Sequence, residues 1–417
     1  MTPLHRALIP GYVLLGLAVA FLGWRIVGTN MAELILETDQ EDAAAKALSW
    51  DRTNPAALYA EAIRNSMNDA PQALNLLLAS VRHNPTDGPA YVAIAMQKEK
   101  EGDLGGAERA LQAAVQLAPR RIDVQLAMAN FFFRRGDVSN AIKHLDVALS
   151  LDPALHSKAF PELLMLAENP AVREAAFATL LKQPVIWWPQ FFGYAASKAE
   201  NVDTLRALFE MQAEGPNVIT PSEMRAYLQR LQHQNMWIES YFVWLNHLSK
   251  KGLNAIGNLF NGGFEEPISN LGFDWLITPT PQVIIDTAPA AGAVGQRALR
   301  VVFRGPRIQF QHIKQFVMLD PGPHILRGRV RPDKLEAAEG LRWAIYCLGN
   351  ASPLASSERF SGTDHWQYFS VQFSIPSQSC QVQMLRLELS GRSALDFEAK
   401  GAIWFDDMTI TRETAIQ

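Results

Sequence analysis

Cysteine is nearly absent from this chain: Cys347 and Cys380 are the only two in 417 residues. Without a CxxC pair or histidines at metal-ligand spacing, a zinc ribbon, a redox dithiol and a disulfide-dense scaffold are excluded. Positive charge is not in excess either. Lys and Arg number 38 against 42 Asp and Glu, a formal net charge of −4, so no nucleic-acid partner is expected. The common catalytic signatures are missing too, with no Gly-rich phosphate loop, no HExxH and no GxSxG. Nine histidines are scattered, no two of them four residues apart. Acidic pairs occur, but nothing in the sequence brings two carboxylates to one cleft. Residues 292–295, Gly-Ala-Val-Gly, read as a loop between strands, because no helix follows them. No catalytic site is read, and no enzyme is expected.

What the chain does contain is a repeat. Gly102-Asp103 returns as Gly136-Asp137, and Pro119 as Pro153, both after 34 residues. Ala107, Leu111 and Ala114 return as Ala141, Leu145 and Ala148. That period marks stacked helical hairpins, each a helix, a Gly-Asp turn, a second helix and a stopping proline. Alanines at the close contacts let helix axes approach, while Ile94, Leu111, Met128 and Leu145 fill the groove between them. Asn54-Pro55 and Asn84-Pro85 mark two earlier, shorter units, with Asp69-Ala70-Pro71 as a turn and Leu74, Leu77 and Leu78 as the next apolar stripe. The pattern resembles the tetratricopeptide repeat. The matching residues are Tyr91, Ile94, Ala95, Gly102, Ala107, Leu111, Ala114 and Pro119, then Met128, Ala129, Phe132, Gly136, Ala141, Leu145, Ala148 and Pro153. Lys98 and Gln125 depart from it, standing where an aromatic and a large apolar residue are usual. The resemblance implies protein partners held on the concave surface of a solenoid.

Residues 7–24 are apolar and uncharged, and Ile26-Val27 extend the run past Arg25. About 20 such residues span a hydrocarbon core. His5 and Arg6 precede the run; Glu33, Glu37, Asp39, Glu41 and Asp42 follow it, which keeps the short basic end in the cytoplasm. Residues 1–29 are therefore read as an uncleaved inner-membrane anchor, with the bulk outside, in a bacterium the periplasm. Ala18-Val19-Ala20 leaves a cleaved signal peptide as the competing reading, and a buried core helix is the plainest one.

Tetratricopeptide-like repeats are expected over residues 30–154 and degenerate helical hairpins over 155–257. Helix-spaced apolar residues occupy 162–168, 171–182, 202–213, 222–232 and 236–250, separated by Asn169-Pro170, Gln183-Pro184, Gly215-Pro216 and Thr220-Pro221. Thr220 and Glu223 have capping-box spacing. Trp187, Trp188, Phe191, Phe192 and Tyr194 form an aromatic cluster, and Trp237, Tyr241, Phe242 and Trp244 another; core packing is the expectation for both.

Over residues 258–417 the pattern changes to short alternating strands at 299–303, 308–310, 325–330, 341–347, 368–375, 382–389 and 402–410. Turn signals such as Gly305-Pro306 and Pro321-Gly322-Pro323 punctuate them, and the whole reads as an all-β sandwich. Leu385, Leu387 and Leu389 share one face, Arg386, Glu388 and Ser390 the other. The opening Asn261-Gly262-Gly263-Phe264-Glu265 and the ending Trp404-Phe405-Asp406-Asp407-Met408-Thr409-Ile410 resemble the first and last strands of galactose-binding-like, carbohydrate-binding-module jelly rolls. That resemblance implies a structural calcium, with Glu265, Asp407 and nearby backbone carbonyls as ligands; strand-end capping in water is the plainer reading. It also places Trp366 at the start of a core strand. Glycan contacts would come from Trp275, Trp343, Tyr346 and, last in rank, Trp366, with Arg327, Arg329 and Arg331; these arginines share one strand face, which would bind an acidic sugar or, on the plainer reading, be solvated. Cys347 and Cys380 sit at strand ends and would form a disulfide in an oxidising compartment, or remain buried thiols.

The expected architecture is multidomain α + β: a transmembrane helix, a tetratricopeptide-like α-solenoid and a jelly-roll sandwich. Chains of this order resemble accessory proteins of bacterial exopolysaccharide synthesis and secretion. The expected function is a non-catalytic periplasmic scaffold for protein partners and polysaccharide. The competing readings are an assembly scaffold that binds no glycan and a carbohydrate-active enzyme with a cryptic site.

Overall fold

The computed structural model describes residues 3–38, 40–304, 307–389, 391 and 394–413. Asp39, the Gly305-Pro306 turn and Ser390 lie outside the described residues. Contacts divide the chain into two compact units, Met1–Phe191 with Arg206–Val218, and Phe192–Leu205 with Ile219–Gln417.

The first unit is helical. Helix α1 (Pro3–Leu36) runs unbroken for 34 residues, so the boundary drawn after residue 29 falls inside a helix. Leu15–Leu36 is long and apolar enough to cross a membrane or to act as a signal sequence. Leu15, Leu17, Phe21, Trp24 and Ile26 are all more than half exposed. Farther along, Ala32 packs with Ala47 of α2 (Ala43–Trp50) and Ala57 of α3 (Pro55–Asn65). There follow α4 (Ala70–His83), α5 (Gly88–Lys100), α6 (Leu104–Leu117), α7 (Ile122–Phe133) and α8 (Val138–Leu151). They pack as the hairpins α3–α4, α5–α6 and α7–α8.

The 34-residue period has a local cause. Gly102 and Gly136 hold φ of +82° and +72°, the left-handed conformation that ends a helix. The Asp103 and Asp137 N–H groups then donate back to the Lys98 and Phe132 carbonyls. The same aspartates cap the next helix, accepting from Gly106 N–H at 2.8 Å and Asn140 N–H at 3.1 Å. One dipeptide thus closes one helix and opens another. Ala107, Ala114, Ala141 and Ala148 are fully buried between the helices. Both departures from the repeat pattern are satisfied locally. Lys98 pairs with Asp103 at 2.8 Å, and buried Gln125 donates to the Pro119 carbonyl and meets His144 Nδ1 at 2.8 Å.

Beyond residue 153 lie α9 (His156–Glu168), α10 (Pro170–Phe177), α11 (Trp188–Lys198) and α12 (Val202–Ala213). Helix α11 was not read from sequence, because its aromatic start obscures the helical pattern. Trp187, Trp188 and Phe191 are buried against Phe160 and Phe177 in tilted, stacked and edge-on contacts. Trp187 Nε1 donates to Asp146 at 2.8 Å, and burial pushes that carboxyl above its ordinary range.

The second unit takes in Phe192–Leu205 and joins α13 (Pro221–His233), α14 (Trp237–Asn246) and α15 (Lys250–Asn254) to two antiparallel five-stranded sheets. Helix α13 opens with the Thr220–Glu223 capping box. The strands are β1 (Leu276–Ile277), β2 (Val283–Pro289), β3 (Arg297–Phe303), β4 (Ile313–Val317), β5 (Gly322–Ala337), β6 (Leu341–Cys347), β7 (Ala355–Ser356), β8 (Gln367–Ile375), β9 (Gln383–Leu389) and β10 (Ala399–Arg412). One sheet has the order β1-β4-β9-β6-β7, the other β2-β3-β10-β5-β8. Their inner faces meet in one core that includes Leu299, Val301, Leu326, Ile345, Leu385, Ile403 and Phe405.

Two expectations are corrected here. Residues 308–310 are no strand; the strand is β4, five residues on, where Ile313, Gln315 and Val317 turn inward. Residues 261–265 form a turn, with φ of +50° at Asn261 and +55° at Phe264, and do not form a first strand. The Gly262 carbonyl of that turn accepts from Met408 N–H at 2.9 Å, where β10 is bulged between Asp406 and Thr409.

Candidate ligand-binding surfaces

Strand phase decides where the expected glycan contacts go. On β6, Leu341, Trp343 and Ile345 point into the core, so Trp343 is 0 % exposed. Trp275 is equally buried, 5.5 Å from Trp343 between ring centroids, and donates to the Asn261 carbonyl. Neither tryptophan presents a face to a ligand, which corrects the expectation for both. Tyr346 is 5 % exposed and its hydroxyl is bound to Glu388.

The three arginines do share the outer face of β5, and the structure adds aromatic partners to them. Arg331 lies 5.2 Å from the Trp366 ring centroid and 5.0 Å from that of Trp404. Arg329 lies 5.1 Å from Trp366 and 5.6 Å from Tyr368. Trp366 is thus on the outer face, half-buried, and does not start a core strand. Cross-strand register extends the row: Arg331 faces Trp404, Trp404 faces Arg300, and Arg300 faces Asp286, to which it is ion-paired at 2.6 Å. Arg327, at the other end, donates to Thr411. The 290–296 loop between β2 and β3 lies against this row, its Ala291 carbonyl accepting from Arg331 Nη1 and Trp366 Nε1. Two buried donors on the face, Arg329 Nε and Trp404 Nε1, have no hydrogen-bond partner among the described residues. Sequence reasoning has the arginines and ranks Trp366 last among the aromatics, but does not have Trp404; strand alternation about residue 404 was the available signal.

Backbone amides engage Glu265, one of the two expected calcium ligands. Glu265 Oε1 accepts from Gln296 and Arg297 N–H at 2.8 and 2.9 Å. Asp407 sits in the β10 bulge with φ of +50°, next to buried Asp406, whose oxygens accept from Val294 and Asp407 N–H. Among the described residues no three His, Cys, Asp or Glu side chains converge; calcium takes about six to eight oxygens, backbone carbonyls included. Cys347 and Cys380 are disulfide-bonded, Cα to Cα 5.1 Å, closing a loop of 33 residues.

On the helical unit, a groove of about 580 Å³ runs between α6, α7 and α8. Gln112, Phe132, Arg135, Asn140 and His144 line it. The His144 ring stacks on Phe132, and burial holds its pKa below the ordinary range. A groove of apolar floor and polar rim suits an extended peptide.

Residues 99–159 match the tetratricopeptide repeat family model. This is the stretch that holds both Gly-Asp turns. No curated protein matches the chain. Among solved structures, a carbohydrate-binding module of family CBM4 is 19 % identical, covering 37 % of this chain and 99 % of its own, at a TM-score of 0.29. The CBM22-1 xylan-binding domain from Paenibacillus barcinonensis Xyn10C is 18 % identical over 37 % of this chain and 93 % of its own, TM-score 0.26. A cyclase from Fischerella sp. TAU is 17 % identical over 37 % and 96 %, TM-score 0.26. Binding modules and an enzyme thus share the likeness, which says nothing of what this chain binds.

Proposed function

We propose that this chain is a membrane-anchored, non-catalytic scaffold that holds a protein partner on its helical repeats and a saccharide on its sandwich. The observation that carries the reading is the arginine–aromatic row on β5, β8 and β10. Sugar rings stack on aromatic faces, and the guanidinium groups of the row would donate to their oxygens. The apolar first helix and the basic residues ahead of it support an anchored protein facing the periplasm, where exopolysaccharide synthesis or secretion would supply the glycan.

The test uses the full chain in detergent micelles on a glycan array. We expect a saccharide signal that Arg331→Ala and Trp366→Ala each reduce. A reporter fused to the carboxyl terminus is expected outside the cytosol. A second reading, an envelope scaffold that binds no glycan, is favoured by the burial of Trp275 and Trp343; an array with no signal supports it.

A further inference from the structure

The β1–β4 edge of the other sheet carries a separate cleft, closed on one side by α13. It measures about 740 Å³, within the range of roughly 300–1,000 Å³ typical of small-ligand sites. Arg225, Gln229 and His233 line it from α13, Lys314 and Phe316 from β4, and Trp237 from α14. No Asp or Glu is among its lining residues.

Lys314 is the informative group. It is half-buried, and its cross-strand neighbour on β9 is another cation, Arg386. Its Nζ stands 5.2 Å from the Phe316 ring centroid, and no carboxylate or hydrogen-bond acceptor partners it among the described residues. Burial and Arg386 both push its pKa down, as they must where an ammonium has lost water without gaining an anion. The acid on the same face of β9 does not help. Glu388 is already held by Arg342 and Arg386 through both oxygens and by the Tyr346 hydroxyl. Positive charge is therefore left uncompensated in a partly desolvated cleft, which is costly unless a ligand brings the counter-charge.

We propose that this cleft is a second saccharide site and that it takes an acidic chain of the uronate class. Phe316 and Trp237 supply aromatic walls, Gln229 an amide for hydroxyls, and Lys314 with Arg225 the charge for a sugar carboxylate. The site differs in sheet, residues and charge from the arginine–aromatic row and does not depend on it. It exists only where α13 lies beside the sandwich.

The test is calorimetric titration of the full chain in detergent micelles with hexagalacturonate and hexaguluronate, against a neutral galacto-oligosaccharide of equal length. We expect at least one uronate chain to bind, the neutral chain to bind more weakly, and added salt to weaken the uronate. Lys314→Gln should weaken uronate binding about tenfold or more, and Arg225→Gln, on the helix surface, by a smaller factor. Arg331→Ala should leave it unchanged, which separates this cleft from the row on β5. The proposal is overturned if neither uronate binds, if the neutral chain binds as well, or if binding survives both Lys314→Gln and Arg225→Gln.

Discussion

At the scale of single residues, Glu388 is the most committed charge in the sandwich. Burial alone would raise its pKa, but Arg386, Tyr346 and Arg342 more than reverse this and hold it below the ordinary carboxylate range. A carboxylate lowered in this way contributes stability above its unfolded pKa and loses it as pH falls through the folded value. Glu388→Gln leaves Arg342 and Arg386 facing one another with no acid between them. We expect a loss of about 3 kcal/mol at pH 7 in urea unfolding, shrinking as pH drops below the ordinary carboxylate range. A variant as stable as the parent at pH 7 would show that the network contributes nothing net. Alternation along β9 placed Arg386 and Glu388 on one face from sequence. Arg342 and Tyr346 join them only because β6 pairs with β9 in the register that sets Arg342 opposite Glu388.

At the scale of elements, the Gly-Asp turns were legible because each residue satisfies a backbone demand. A left-handed position needs glycine, and free N–H groups at a helix start need an acceptor. Gly136→Ala is expected to cost about 1 kcal/mol, since the φ of +72° disfavours a Cβ although nothing crowds it within 4 Å. Thermal unfolding of the helical unit measures it, and Asp137→Ala should cost a similar amount through the lost cap. Strand β4 was misplaced for the opposite reason. Ile308 and Phe310 are buried and spaced like a strand, yet each makes a single backbone bond, Ile308 N–H to the Phe397 carbonyl and the Phe310 carbonyl from Leu389 N–H of β9, which falls short of a ladder. Alternation marks a buried face; only a partner's backbone makes a ladder.

At the scale of the whole molecule, the aromatic face of α14 changes the account of the second unit. Trp237, Tyr241 and Trp244 follow helical spacing, and packing was expected of them. The surface they pack on is that of the sandwich: Trp237 meets Phe273 and Phe316, and Trp244 meets Phe260 and Phe273. The change in composition after residue 257 therefore does not coincide with the compact unit, which takes in α13 to α15. A fragment of residues 219–417 should be more stable than one of residues 258–417, and Trp244→Ala should cost the longer fragment about 3–5 kcal/mol in denaturant unfolding. Equal stability of the two fragments would count against this packing.

The sequence alone determined whatever depends on neighbours along the chain. The greasy first helix, the Gly-Asp period, the capping box at Thr220 and the alternation of β5, β6, β8 and β9 all follow from backbone demands and from periods of 3.6 and 2.0 residues. Tertiary structure decided the rest. It sent Trp275 and Trp343 inward, brought Trp366 and Trp404 to the arginines of β5, turned Glu265 toward backbone amides, and laid α13 beside Lys314 to shape a cationic cleft. Those outcomes rest on which strands pair and in which register, contacts between residues up to a hundred positions or so apart that local periodicity does not encode.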